Sequence, residues 1–224
     1  MRGNSCGHIP NTPRWFDPPP KHTRPKIISK LIGEIQQYYG QPTSTIPSLN
    51  LSNGSNRQQR SERREACISV LGCLVHYLDL ASLRVGIPQP DKSFNGISMP
   101  FIAERSGLTL KRTERAVKDL VSSGLLTVHP LCEKLSDTVY KGYAAIRTVS
   151  KKLFTLFGLG GRLKYEREKA SARQRKRTRK EELKGKAKID LLCNGAVIGM
   201  VVGEDGKRDK TTELQNIRNI LNSS

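Results

Sequence analysis

The first sixty residues contain one stretch with a helical pattern of apolar positions. Its apolar residues are Ile27, Leu31, Ile35 and Tyr38. Their spacing predicts a short amphipathic helix within residues 26–39. Six prolines exclude a regular helix from residues 9–25. Residues 40–59 are rich in serine, asparagine and glutamine, a composition typical of a linker.

A longer apolar stripe follows and predicts a helix over residues 61–80. Its members are Ala66, Val70, Leu71, Leu74, Val75 and Leu78. Arg60, Arg63 and Arg64 crowd the start of this helix, where positive charge opposes the helix dipole. A phosphate backbone is therefore one candidate partner for these three arginines. The next segment, "RVGIPQPDKSFNG", contains Pro88 and Pro90 and predicts a loop.

Two helices joined by a tight turn are predicted next. Ser98 is a suitable N-cap for "MPFIAERSG", and Pro100 is tolerated in a first helical turn. Gly107 suits a left-handed helix exit, and Thr109 suits the cap of a second helix over residues 110–123. Gly124 ends that helix. This order of helix, short turn and helix is the helix-turn-helix pattern.

Two alternating segments predict an antiparallel hairpin after the second helix. They are "LLTVHP" and "YKGYAAIRTVS", separated by the polar stretch "LCEKLSDTV". Ser150 is a suitable cap for a further helix. We therefore expect a mainly α fold with a small antiparallel β wing, a winged helix-turn-helix.

The C-terminal third is strongly basic at first. Residues 162–188 contain thirteen Lys or Arg against four Glu, and no fold is assigned to residues 189–224. The predicted organisation has four parts. These are a proline-rich leader, short amphipathic helix and linker (1–59), a winged-helix DNA-binding domain (60–160), a basic helical segment (161–188) and a C-terminal segment (189–224).

The net charge of the chain indicates which class of partner it binds. The chain has 224 residues, a net charge of +19 and a pI near 10.0, which favours binding to polyanions such as nucleic acid. No apolar run approaches the roughly 20 residues of a membrane-spanning helix, and no secretory signal is evident. The five scattered cysteines form no C-x-x-C pair, so reduced thiols in a cytoplasmic protein are expected.

No catalytic constellation, metal site or cofactor motif is predicted. "VVGEDGKRD" lacks the G-x-x-x-x-G-K-[ST] spacing of a phosphate loop, and "FGLGGR" lacks the G-x-G-x-x-G spacing of a dinucleotide site. The four histidines (His8, His22, His76 and His129) are isolated in the sequence. We therefore expect a protein that is not an enzyme and has no cofactor.

The second helix of the predicted pair is the candidate recognition helix. Lys111, Arg115, Lys118 and Ser122 follow one face at helical spacing. Basic side chains neutralise phosphates, and arginine also reads guanine, which makes these four residues with Thr109 and Arg112 the candidate DNA contacts. The alternative is an ordinary solvated helix face. The position of the helix, the wing after it and the basic chain favour DNA.

Further basic residues are candidates for contact with phosphates. In the predicted hairpin they are Lys134, Lys141 and Arg147. In the basic run they are Arg173, Arg175, Lys176, Arg177 and Arg179. Such contacts give affinity without sequence information. The alternative for the run is a flexible charged tail, and "RQRKRTRK" also resembles a nuclear-localisation patch.

Three segments resemble one family when taken in order. They are "RREACISVLGCLVHYLDLASLRVG", "ISMPFIAERSGL" and "RTERAVKDLVSSGLLTV", and the set is similar to the RepA replication initiators of IncFII-type and related plasmids. The matching positions are Arg63, Arg64, His76, Tyr77, Asp79, Gly107, Leu108, Leu120, Gly124, Leu125, Leu126 and Thr127. The leader "HIPNTPRWF" also resembles that family.

The resemblance implies a plasmid replication initiator. Such proteins bind double-stranded origin DNA and prepare it for host replication initiation proteins, without nicking chemistry. A winged-helix transcriptional repressor is the alternative, although neither a dimerisation element nor an effector pocket is evident. An RNA-associated protein would carry exposed aromatic residues for stacking, and the aromatic content of 5% argues against it. The oligomeric state stays open.

Overall fold

The computed structural model describes residues 8–55, 57–89, 93–134 and 140–201. In this part of the chain the fold is mainly helical, with a small four-stranded antiparallel sheet. The α-helices are α1 (Lys26–Gln36), α2 (Pro42–Thr45), α3 (Pro47–Asn50), α4 (Ser61–His76), α5 (Met99–Ser106), α6 (Leu110–Ser122), α7 (Lys151–Leu156) and α8 (Gly160–Val201). The strands are β1 (Arg84–Pro88), β2 (Phe94–Gly96), β3 (Leu126–Lys134) and β4 (Tyr140–Val149). Two short 3₁₀ turns cover Gln37–Tyr39 and Leu51–Asn53.

The predicted amphipathic helix of the first sixty residues is confirmed as α1 and its 3₁₀ extension. Every residue of the predicted stripe is buried, and Ile28 and Ile32 join it. Residues 9–25 contain no helix, as their prolines predicted. They nevertheless pack on the core, because Phe16 is buried and its Cβ lies 3.2 Å from where a Cβ on Gly72 would stand.

The prediction of a linker over residues 40–59 is wrong. Ile46 and Leu49 are fully buried, and the short helices α2 and α3 carry them into the core. Each of these helices starts with a proline, whose fixed φ suits the first helical position. Composition suggested a linker because only two apolar side chains anchor a polar stretch.

Helix α4 forms the centre of the core. All its residues from Glu65 to His76 are buried, so it has no solvated face along that length. It ends at His76 and not at residue 80 as predicted. A turn follows in which the backbone N–H of Asp79 donates to the carbonyl of Arg84, and this turn leads directly into β1.

The prediction of a loop over residues 84–96 is also wrong, because this segment contributes strands β1 and β2. The sheet order is β2-β1-β4-β3, so β1 pairs with a strand that comes more than fifty residues later. Gly86 and Gly96 face each other across β1 and β2. Gly86 has φ 148°, and a Cβ there would overlap the carbonyl oxygen of Asn95. Pairing that depends on distant residues is invisible to a local pattern of glycine and proline.

The predicted hairpin is confirmed as β3 and β4. The strands pair antiparallel from Leu126 with Val149 to Lys134 with Tyr140, with a register shift between His129 and Leu131. Strand β3 therefore continues through "LCEK", which the sequence suggested was part of the loop. Residues 135–139, the rest of that predicted loop, lie outside the described residues.

The basic segment is helical as predicted, but it belongs to a longer helix. Ser150 accepts a hydrogen bond from the N–H of Lys152 and caps α7, and α8 then runs from Gly160 to Val201. Chain contacts divide the protein into two units, residues 1–177 and 178–224. The described part of the second unit is the C-terminal portion of α8, and residues 202–224 lie outside the described residues.

Candidate nucleic-acid interface

The α5–α6 pair has the tight geometry that its sequence predicted. The Ser98 hydroxyl accepts a hydrogen bond from the N–H of Phe101, which caps α5. Gly107 adopts φ 64°, the left-handed exit that glycine tolerates best. Three residues separate the helices. Thr109 occupies the N-cap position of α6 but makes no side-chain capping bond, so that part of the prediction is wrong.

One face of α6 is exposed and basic. Lys111, Arg115, Lys118 and Ser122 are all exposed, as their helical spacing predicted. The opposite face packs on the core through Thr113, Ala116 and Leu120. The apolar side chains of Leu110 and Val121 are 44% and 41% exposed, because they lie at the edges of the buried face. The exposed face thus presents three cations to the surroundings, and the exposed Glu114 lies beside them one turn from Lys118.

Arg112 has a different environment from Arg115. Its guanidinium turns back towards α4, where Nη2 donates to the carbonyl oxygen of Glu62 at 3.1 Å. The same nitrogen lies 3.6 Å from a carboxylate oxygen of Glu65. Arg112 is half-buried and joins two helices, whereas Arg115 is exposed. The structure therefore places only one of these two candidate base-reading arginines on the exposed face.

Arg63 forms a bidentate ion pair with Asp119 of α6. Its Nε and Nη2 each donate to one carboxylate oxygen at 2.6 Å. Asp119 is 3% exposed and also accepts a hydrogen bond from the Gln59 side chain at 3.3 Å. This carboxylate raises the pKa of the Arg63 guanidinium, mainly through the hydrogen bonds. The buried carboxylate of Asp119 thus explains why a positive charge stands in the first turn of α4.

The other two arginines at the start of α4 differ from each other. The guanidinium carbon of Arg64 lies 5.2 Å from the ring centre of Tyr39, a cation–π contact that holds it against the core. Arg60 is exposed at the N-cap position and provides no side-chain cap. Of this arginine group, only Arg60 is fully on the surface.

The candidate residues of the hairpin are also split between surface and core. Lys134 is exposed, and the ammonium of Lys141 lies 5.2 Å from the ring centre of Tyr143. Arg147 is only 4% exposed, and its Nη1 donates to the carbonyl oxygen of Ile97 at 2.6 Å. Burial lowers the pKa of this guanidinium. Arg147 therefore ties β4 to the segment that precedes α5.

The candidate residues of the basic run are all exposed on α8. Arg173, Arg175, Lys176 and Arg177 belong to the first unit, and Arg179 begins the exposed positions of the second. Arg173 donates through Nε to the carbonyl of Lys169, one turn earlier on the same helix. The run is thus an ordered helical surface over these positions.

The histidines and carboxylates of the described residues form no metal centre. They contain no group of three or more His, Cys, Asp or Glu side chains placed to hold an ion. His8 is buried and hydrogen-bonds Glu65 and Ser61, and His76 packs edge-on against Tyr77 with ring centres 4.9 Å apart. Over the same residues, no helix is long and apolar enough to cross a lipid bilayer.

Sequence reasoning missed the acidic residues that hold these arginines. Glu65 and Asp119 are both buried, and each contacts an arginine from the other helix of the α4–α6 pair. One signal was available for Asp119, because its helical spacing places it beside Ala116 and Leu120 on the apolar face. A carboxylate on an apolar face requires a buried partner.

Comparison with known proteins identified no relative of this chain. The chain matches no protein-family model, no curated protein and no solved structure.

Proposed function

We propose that this protein binds double-stranded DNA with α6 as its recognition helix and β3–β4 as its wing. The observation that carries the proposal is the exposed basic face of α6, formed by Lys111, Arg115 and Lys118. This helix is the second of a tightly turned pair and is followed directly by an antiparallel hairpin. The order α4, β1, β2, α5, α6, β3, β4 is compatible with a winged-helix arrangement and supports the proposal.

Charge supports DNA as the partner. The three cations on α6 belong to a chain with 39 basic and 20 acidic residues, and this excess attracts a phosphate backbone at long range. The N-terminal part of a recognition helix meets the bases in most helix-turn-helix complexes. Lys111 and Arg115 are the proposed base contacts on this helix, and Lys118 is a proposed phosphate contact.

The proposed biological role is initiation of plasmid replication. It rests on the resemblance of about residues 60–160 to RepA initiators, which implies binding at a plasmid origin and assembly of host replication proteins there. Regulation of transcription by the same DNA-binding surface is the second candidate, since it needs the same helix and wing.

Footprinting on the DNA that flanks the gene tests DNA binding. We expect a protected site with the wild-type protein and loss of protection when Lys111, Arg115 and Lys118 are replaced by Gln. The matched control replaces Lys21, Lys26 and Lys30, three exposed lysines before and on α1, and keeps the protection. Equal protection by wild type and the α6 variant would show that another surface binds DNA.

A replication assay separates the two roles. A plasmid that carries the protected site but lacks the gene should replicate when the protein is supplied from elsewhere in the cell. If the plasmid fails to replicate while a promoter at the site is silenced, the protein is a repressor.

A further inference from the structure

A cleft of about 630 Å³ lies beside the exposed face of α6. The segment before α4, the first turns of α4 and the first half of α6 form its walls. Five arginines line it, Arg57, Arg60, Arg63, Arg112 and Arg115, with Glu62 as the acidic residue among the lining side chains. We call it the arginine cleft.

Two of the five arginines are held in place by the protein itself. Arg63 is bound by Asp119 through both carboxylate oxygens, and Arg112 donates to the carbonyl of Glu62. These contacts fix one wall of the cleft by joining α4 to α6.

The other three arginines, Arg57, Arg60 and Arg115, are exposed on the lining of the cleft, where Glu62 is the acidic side chain. Guanidinium groups bind phosphates through two parallel hydrogen bonds. The sixteen-residue helix α4 also begins here, with Arg60 at its N-cap position and no side-chain capping bond. The positive end of its dipole adds to the attraction of an anion.

Arg115 connects the cleft to the surface proposed to bind DNA. It lines the arginine cleft and also belongs to the exposed face of α6. A DNA backbone that leaves the bases under α6 would therefore pass next to Arg60 and Arg57. We propose that the arginine cleft binds phosphate groups, and that in the DNA complex these are backbone phosphates beside the bases that α6 contacts. The assignment to DNA rests on the proposed function, whereas phosphate binding by the cleft does not.

The test variant replaces Arg57 and Arg60 by Gln. Neither residue is buried, so the fold should tolerate the change. The matched control replaces Lys26 and Lys30, which removes the same charge from exposed positions on α1, away from the cleft lining. Two measurements are made on all three proteins. One is affinity for the footprinted duplex against salt concentration, and the other is calorimetric titration with pyrophosphate alone.

We expect the cleft variant to flatten the salt dependence of duplex binding by about 1.8 in slope, roughly 0.9 for each lost phosphate contact. The control should keep the wild-type slope.

One outcome overturns only the assignment to DNA. In it, duplex binding is unchanged, the wild type binds pyrophosphate and the cleft variant does not, so the cleft holds a free polyphosphate. An unchanged slope without pyrophosphate binding overturns the whole proposal, as does an equal loss in the control. If the wild-type protein binds no duplex, the proposed function is refuted. The pyrophosphate titration alone then shows whether the cleft binds phosphate groups.

Discussion

Arg63 of α4 and Asp119 of α6 are joined by two hydrogen bonds of 2.6 Å, one from each of two guanidinium nitrogens. The carboxylate is almost fully buried, whereas the arginine side chain is 40% exposed. The pair therefore connects the central core helix to the candidate recognition helix at the edge of the core. Its geometry fixes α6 against α4 while leaving the basic face of α6 outside.

Replacement of Arg63 by Ala should destabilise the protein by about 3 kcal/mol, because it leaves a buried carboxylate without its cation. This value is at the lower end of the range for broken buried pairs, since Arg63 is partly exposed. Urea unfolding of wild type and variant measures the difference. Arg63→Ala together with Asp119→Asn should recover part of the loss, because the uncompensated charge is gone. A single variant as stable as wild type would show that the pair contributes nothing.

Arg112 and Arg115 should respond in opposite ways to replacement by Ala. Arg112→Ala removes a charged hydrogen bond between α6 and α4 and should cost about 1–2 kcal/mol of folding stability. Arg115→Ala should leave stability unchanged and weaken binding to the specific duplex by about 1–3 kcal/mol. Unfolding curves and duplex titrations on the same two variants check this. Equal effects of both variants in either measurement would contradict the assignment.

Neutralisation of the basic run should weaken binding to specific and random DNA alike. The variant carries Gln at Arg173, Arg175, Lys176, Arg177 and Arg179. Phosphate contacts release counterions irrespective of sequence, so each lost contact flattens the salt dependence by about 0.9 in slope. Titrations of the footprinted and scrambled duplexes against salt provide the measurement. An unchanged slope would identify the run as a solvated helix face, and a loss confined to the footprinted duplex would mean that it reads bases.

Stability should fall as the pH is lowered from about 6.5 to about 4. Burial, with Arg24 and His22 nearby, lowers the pKa of His76 to about 4, against an ordinary value near 6.5. Between these values the unfolded chain binds the proton more strongly, so protonation favours unfolding. Urea unfolding at several pH values should show a weaker dependence for His76→Gln. His129→Gln, at an exposed position on β3, is the control and should keep the wild-type profile.

The helices with a clear apolar face and strong end signals could be predicted from sequence. Gly107 adopts the left-handed conformation predicted for it, Gly124 follows α6 as predicted, and Ser98 and Ser150 both cap their helices. These features depend on residues a few positions apart. Strand β1 could not be predicted in this way, because part of its pairing is with β4, far along the chain.

The same distinction applies to the candidate site. Helical spacing correctly placed Lys111, Arg115 and Lys118 on an exposed face. The sequence could not show that the guanidinium groups of Arg112 on α6 and Arg147 on β4 turn inward. Their hydrogen-bond partners are carbonyl groups of residues 50 positions away. A long basic side chain reaches either solvent or a neighbouring element, and only the tertiary structure determines which.

The sheet order has a consequence for how the chain emerges from the ribosome. Strands β1 and β2 can pair as soon as both are synthesised, but the other edge of β1 stays open until β4 follows. During that interval its unpaired backbone groups are available to a neighbouring nascent chain. Arg84, at the start of β1, is exposed and charged, and charge on an open edge discourages pairing with another strand. The same arginine pairs with Thr148 of β4 once synthesis has passed the hairpin.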